Sequence, residues 1–313
     1  MSLFASADPA VMAQDYASLV ARGTGDGWDA VALCPSYGVE VCGLALEQPL
    51  SEDDQRCLRR LFDTHHLLLF RAQQLRAEDQ QRVCRYLRPV VDEVAWVSNV
   101  EAGFHPETEL LYHCDYAFTA NPMLGLSLYA TVVAPGAAPT RFANNARALT
   151  TLPAELRDQL EQLNVVHMVD SVSGRNNVRT RLDDVGGAAA STAWYPRCSR
   201  PAVWPHPLTG EPLLFVLEQQ ASHFDGWTCD DSDELLDTVF AHLYDETNVY
   251  EHEWQVGDLI IWDNLAVQHG RRANPNAVRR SLRRVAMNTV TTAELIAGTG
   301  FDPAVRARRQ SGE

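Results

Sequence analysis

The sequence predicts a mainly β protein: a β-sandwich or jelly-roll core dressed with peripheral helices. Three observations carry this reading. From about residue 108 to 145 and from 200 to 290, the chain is rich in short β-like apolar runs broken by turn residues. Helical patterns are few, and they lie before or between those runs. No internal repeat and no Pro/Ser-rich linker divides the 313 residues, so 1–313 reads as a single catalytic-size domain with residues 1–28 as a helical extension.

Taken in order, Pro9 to Arg22 reads as a short helix ending at Gly23. Ala30 to Leu46 alternates around the turn residues Pro35 and Gly38 and gives one or two strands. Ser51 with Asp54 forms a capping signal that opens a helix through Phe62. His66–Phe70 is apolar enough for a buried strand, and Ala77–Leu87 is an amphipathic helix. Further strands are expected at Met123–Val133, Leu213–Leu217, Asp258–Trp262 and Leu282–Val290, with helical inserts at Ala154–Gln162 and Ser232–Asp245. The segment from Asp170 to Ala193 holds Gly174, Gly186, Gly187 and many polar residues. A loop that long in a compact domain is expected to be a functional lid with glycine hinges.

Composition narrows the chemistry. At 46% hydrophobic and 21% charged residues, the chain can bury a large core without disulfide or metal staples. A net charge of −15 argues against a general nucleic-acid or anionic-membrane binder. All 26 basic side chains are arginines. Without lysine there is no Walker-type phosphate lysine, no Schiff base and no lysine general base, so any anion gripped by a charged side chain is gripped by Arg or protonated His. The seven cysteines are scattered and form no CxxC pair, as expected for reduced thiols in the cytoplasm. The N-terminus has no signal-peptide pattern, and no apolar run is long enough to cross a bilayer.

Three stretches carry candidate chemistry. In Leu111-Tyr-His-Cys-Asp-Tyr-Ala-Phe118, His113 and Asp115 are two apart, and on a strand they would project side by side. In Val256-Gly-Asp-Leu-Ile-Ile-Trp-Asp-Asn-Leu-Ala-Val-Gln-His269, a buried strand is broken at Asp263-Asn264, and His269 follows a second apolar run. In Val278-Arg-Arg-Ser-Leu-Arg-Arg-Val285, Arg280, Leu282 and Arg284 face one way, and Arg279, Ser281 and Arg283 the other. Each stretch alone has a plain alternative: a chance HxD, a core histidine, a solvated arginine edge. Together they give two histidines and one carboxylate with no fourth protein ligand, the facial triad of a non-haem Fe(II) site. Arg280, eleven residues past His269, is placed to hold the far carboxylate of a dicarboxylic cosubstrate.

The order and spacing resemble the taurine dioxygenase (TauD/TfdA) family of Fe(II)- and 2-oxoglutarate-dependent oxygenases, over about Leu33 to Thr291. The resemblance includes Leu67-Leu-Leu-Phe-Arg71 with its Gln-rich helix, the HxD, the His206-Pro-Leu-Thr-Gly210 turn, and the Gly-Asp-Leu…Trp-Asp-Asn…His block. It implies a double-stranded β-helix (jelly roll, cupin-like), with His113, Asp115 and His269 as iron ligands. It also implies Arg280 and Thr140 on the 2-oxoglutarate carboxylate, and Arg284 on substrate or cosubstrate. The implied reaction uses Fe(II), 2-oxoglutarate and O₂. It releases succinate and CO₂ and hydroxylates or desaturates a C–H bond of a small molecule, an acidic one being among the expectations. Retention of Asp115 favours these outcomes over halogenation, which family halogenases achieve with Gly or Ala at that ligand position.

Two departures stand out. The family's Gly-Gly-Asp-Thr is Ala137-Ala-Pro-Thr140 here, and Arg88–Ala95 lacks the histidine that meets the taurine sulfonate, so taurine is disfavoured. Natural-product relatives that desaturate, form isonitriles or cleave bonds remain alternatives, as does a jelly-roll metal-binding protein without turnover. Substrate-pocket candidates are Trp96, Asn99, Tyr116, Phe118, His223 and Phe224, each with core packing as its alternative. His167 is expected in the core, and His65, His105, His242 and His252 at the surface. The expected partner is a small molecule, with no nucleic acid or membrane, and a homo-oligomer is among the expectations because such relatives often assemble.

Overall fold

The computed structural model describes residues 27–34, 37–101, 107–173, 175, 177–274 and 278–299. The expected helix Pro9–Arg22, together with Pro35, His105 and Gly174, lies outside them. The protein is mainly β with a few helices. Its largest sheet has the order β1 (Asp29–Ala32), β2 (Val39–Cys42), β3 (Leu67–Phe70), β14 (Leu259–Asp263), β6 (Gly125–Val133), β16 (Arg280–Met287), β4 (Ala95–Ser98). Only the β2–β3 pairing in it is parallel. A second sheet has the order β13 (Val249–His252), β7 (Thr140–Asn144), β15 (Val267–Arg271), β5 (Leu110–His113). Smaller sheets join β12 (Ala221–Phe224), β8 (Asn164–Met168) and β9 (Arg197–Pro201), and β10 (Val203–Pro205) with β11 (Pro212–Leu214).

The large sheet is covered on both faces, which is why β3 and β14 read as unbroken apolar runs. Alternate residues divide between two cores. Leu67, Leu69, Leu126, Leu128, Ile260, Trp262, Leu282 and Ala286 pack inward with Phe142 and Val267 of the second sheet. Leu68, Phe70, Leu259, Ile261, Val285 and Met287 pack outward against α1 (Glu52–His65) and α2 (Ala77–Leu87), through residues such as Leu58, Phe62, Val83 and Leu87. Each fully buried side chain of this size contributes roughly 1.5–3 kcal/mol.

α1 begins where Ser51 Oγ accepts the Asp54 N–H at 3.1 Å, and it runs one turn beyond the expected Phe62. His66 ends it with a left-handed φ of 62°. α2 has the expected bounds. Two further short helices are α3 (Asn145–Thr151) and α4 (Ala154–Leu160), and the larger α5 (Cys229–Leu243) and short α6 (Thr292–Ala297) follow. Ala30–Leu46 resolves into β1 and β2. The expected strand Leu213–Leu217 stops pairing at Leu214, and Leu282–Val290 is shifted toward its N-terminus as β16. His167 is buried as expected, but His65 and His252 are also buried rather than at the surface, and His242 is half-buried against the Ala148 carbonyl.

Residues 170–193 carry two short 3₁₀ turns, Asp183–Val185 and Gly187–Ala189. Leu182 packs with Met168 and Cys229. Arg179 pairs with Asp233, and Arg181 with Asp230, which docks the segment on α5. No helix among the described residues is long and apolar enough to cross a membrane.

Candidate metal and cosubstrate site

A cavity of about 440 Å³ lies between the two main sheets. β15 supplies His269 and β5 supplies His113, and antiparallel pairing makes the two residues direct cross-strand partners. Their rings lie 4.2 Å apart, between centroids. The carboxylate arrives differently from expectation. β5 ends at His113, so Asp115 is not an i+2 strand neighbour but sits in the turn that follows. Tyr116 takes a left-handed φ of 61° in that turn. Asn264 clamps it: its side chain accepts the Asp115 N–H (2.9 Å) and donates to the carbonyls of Asp115 (3.1 Å) and Met123 (2.8 Å). The reading of Asp263-Asn264 as a strand break missed this role. Asp263 caps the N–H groups of Leu265 and Ala266 and meets His206 Nε2 at 3.2 Å, which fixes the approach to β15.

One ligand atom from each of His113, Asp115 and His269 lies within 4.8 Å of the other two. Asp115 Oδ1 faces both imidazoles, 3.3 Å from His113 Nε2 and 3.6 Å from His269 Nε2. Its Oδ2 accepts from Arg284 Nη2 at 2.7 Å. His113 Nδ1 meets the Leu111 carbonyl at 2.8 Å. A carbonyl only accepts, so the proton sits on Nδ1 and Nε2 is left with a lone pair toward the cluster. Burial raises the Asp115 carboxyl, but Arg284 and the two imidazoles outweigh it and hold the group below the usual carboxylate range. Burial, with His113 and Arg284, pushes His269 down to about 3. Asp115 and His269 are therefore deprotonated at neutral pH, the state metal ligands need.

Arg280 is 1% exposed and forms no ion pair among the described residues. Its Nη2 donates to Thr140 Oγ1 at 2.8 Å, while Nε and Nη1 are buried with no partner. Burial and the neighbouring Arg271 pull its pKa down to about 9. A buried, uncompensated guanidinium is costly unless an anion meets it. Arg271 also lines the cavity, and its Nη2 donates to the Thr108 carbonyl at 3.1 Å. The sequence reading missed it, although its place two residues past His269 on a strand was the available signal. Arg283, on the opposite face of β16, binds Gln80 and the Leu75 carbonyl, as alternation expects.

Trp96, Tyr116 and Phe118 line the cavity, as do Gln219 and Gln220. Three expected pocket residues are not among its lining residues. Asn99 Oδ1 accepts the Arg280 N–H at 2.9 Å, so it braces the strand rather than the substrate. Phe224 is in a separate core against α5, and His223 contacts Ser222 Oγ at 3.0 Å. The alternation of β12 and its pairing with β8 turn that strand into the smaller sheet.

Residues 29–286 match the family described as taurine catabolism dioxygenase TauD, TfdA family. The chain belongs to this family. It is an Fe(II)- and 2-oxoglutarate-dependent dioxygenase. It is 29% identical over 278 residues to the alpha-ketoglutarate-dependent 2,4-dichlorophenoxyacetate dioxygenase of Cupriavidus pinatubonensis (strain JMP 134 / LMG 1197), covering 80% of this chain and 94% of that one. It is 28% identical over 268 residues to the alpha-ketoglutarate-dependent sulfate ester dioxygenase of Pseudomonas putida, covering 80% and 86%. The crystal structure of AAD-2 with Mn(II) and N-oxalylglycine superposes with a TM-score of 0.69 at 22% identity, covering 84% of this dioxygenase and 98% of that chain. A taurine dioxygenase from Burkholderia xenovorans gives 0.68 at 23%, covering 83% and 90%.

The residues of this dioxygenase fit the family's cofactors. Two imidazoles and a carboxylate suit Fe(II), and the partnerless atoms of Arg280 suit a carboxylate tail.

Proposed function

We propose that His113, Asp115 and His269 hold the iron, that Arg280 and Thr140 hold the distal carboxylate of 2-oxoglutarate, and that the enzyme oxidises a C–H bond of a small acidic molecule with an apolar body, other than taurine. One observation carries the site: the three-residue cluster and a buried guanidinium without an anion share one cavity. When bound, the ferrous ion supplies the activation of dioxygen that is coupled to oxidative decarboxylation of 2-oxoglutarate.

The protein's part is positional. His113 presents Nε2 because Leu111 fixes its tautomer. Arg284 occupies Asp115 Oδ2 and leaves Oδ1 for the metal. Arg284 also lines the cavity, where an acidic substrate group meets it, while Trp96, Tyr116 and Phe118 surround an apolar body. The relatives named for 2,4-dichlorophenoxyacetate and sulfate esters support an acidic substrate. The two facing sheets support a double-stranded β-helix. The seven scattered cysteines, with no CxxC pair, go with a reducing cytoplasm, and residues 170–193 act as a lid. Anaerobic Fe(II) and 2-oxoglutarate should together give a weak visible charge-transfer band. A panel of aryloxy acids, sulfate esters, sulfonates and amino acids should identify substrates by succinate release. Absence of the band would reject the site, and release with taurine alone would reject the substrate class.

A further inference from the structure

Trp254 follows β13, behind the cavity rather than among its lining residues, and is nearly buried. Its Nε1 donates to Thr140 Oγ1 at 2.9 Å, the same oxygen that accepts from Arg280 Nη2 at 2.8 Å. A threonine hydroxyl has two acceptor lone pairs and one proton. Two donors occupy both lone pairs, so the proton has to be directed elsewhere, and Thr140 lines the cavity. The indole face also lies 5.6 Å from the Arg280 guanidinium carbon.

We propose that Trp254 is a positioning residue that holds Thr140 as a hydrogen-bond donor toward the cosubstrate carboxylate. With both lone pairs filled, Thr140 cannot turn to accept from a ligand. It presents only its proton, beside the free Nε and Nη1 of Arg280. Such a donor-only corner matches an acceptor-only carboxylate and disfavours a neutral amide end, whose NH2 would set donor against donor.

The indole is held from behind. His252 meets it edge-on, with centroids 4.7 Å apart at 88°. His252 Nε2 donates to Asp258 Oδ2 at 3.1 Å, and the Tyr250 hydroxyl donates to His252 Nδ1 at 2.9 Å. Asp258 Oδ2 also accepts from Arg71 at 2.7 Å and from the Gln255 N–H at 2.8 Å. This hydrogen-bonded chain leaves the indole N–H little freedom to leave Thr140.

The inference rests on the reading that Arg280 and Thr140 hold 2-oxoglutarate, and the test separates the two. Calorimetric titration of 2-oxoglutarate into the Mn(II)-loaded full chain needs no turnover. Four proteins are compared: the natural chain, Thr140→Val, Trp254 replaced by benzothienylalanine (sulfur for N–H in the same ring shape), and both changes together. Trp254→Phe serves as a second ring variant. Thr140→Val should weaken 2-oxoglutarate about tenfold or more. The Trp254 replacements should weaken it roughly three- to tenfold when Thr140 is present and less than about twofold in the Thr140→Val background. Mn(II) affinity should be unchanged throughout. Equal loss in both backgrounds, or no loss in either, overturns the role of Trp254. Unchanged affinity in Thr140→Val removes the cosubstrate reading beneath it.

Discussion

Arg280 shows how one side chain ties burial to chemistry. Its guanidinium lies in the core without a counter-charge, held by Thr140 and with Nε and Nη1 open. Truncation should leave the 2-oxoglutarate tail unpaired in a dry site, at about 3–5 kcal/mol. Arg280→Ala should therefore raise the 2-oxoglutarate dissociation constant a hundredfold or more, with iron affinity nearly unchanged. Calorimetry with each ligand checks this, and unchanged 2-oxoglutarate affinity would remove the role assigned to Arg280. His167 illustrates a structural histidine. It packs against Phe215, and burial, with nearby Arg200, pushes its pKa from 6.5 down to about 3. A depressed imidazole stabilises the fold above its unfolded pKa, and that stability is lost as pH falls from about 6.5 toward 3. Between pH 7 and 5 the loss is about 2 kcal/mol. His167→Leu should show a pH 7-to-5 drop in stability smaller by that amount. Urea midpoints at the two pH values test it, and an equal drop in both proteins would contradict it.

At the scale of elements, the metal cluster depends on how closely β15 approaches β5. Gly270 follows His269, and a Cβ there would lie 2.9 Å from the Leu110 carbonyl oxygen and 3.3 Å from the Tyr112 nitrogen. Those are backbone atoms and cannot swing aside, so Gly270→Ala should part the strands and pull His113 from His269. The expected result is a loss of Fe(II) affinity of at least about tenfold, at a stability cost of about 1–3 kcal/mol typical of overpacking. Metal titration beside thermal melting checks this. Full metal affinity in the variant would mean that the strand spacing does not set the site.

For the whole molecule, the proposed lid is the segment from 170 to 193. Residues 170–193 are tied to α5 by Arg179–Asp233 and Arg181–Asp230, and the preceding Val169 lines the cavity. A lid should become more resistant to limited proteolysis when Mn(II) and 2-oxoglutarate are both present. Equal cleavage with and without them would remove that role. The cluster itself is carried by β5, β15 and the turn after β5, and no described residue of 170–193 is among those lining the cavity.

Strong local periodicity made much of this legible in the sequence. α2 has its expected bounds because its apolar face repeats at helical spacing, and β3 and β14 were visible as apolar runs. The residue types His113, Asp115 and His269, which the structure brings into one cluster, and the spacing to Arg280 could also be read, because their identity and order are visible along the chain. Tertiary structure decided the rest. Asp115 reaches the imidazoles from a turn clamped by Asn264, Arg284 engages Asp115, and Asn99, His223 and Phe224 are not among the residues lining the cavity. Each of these depends on contacts between residues distant in sequence, such as Asn264 with Asp115 or Trp254 with Thr140. Local pattern specifies which way a residue leans on its own strand. Only the packing of sheets against one another specifies what it meets there.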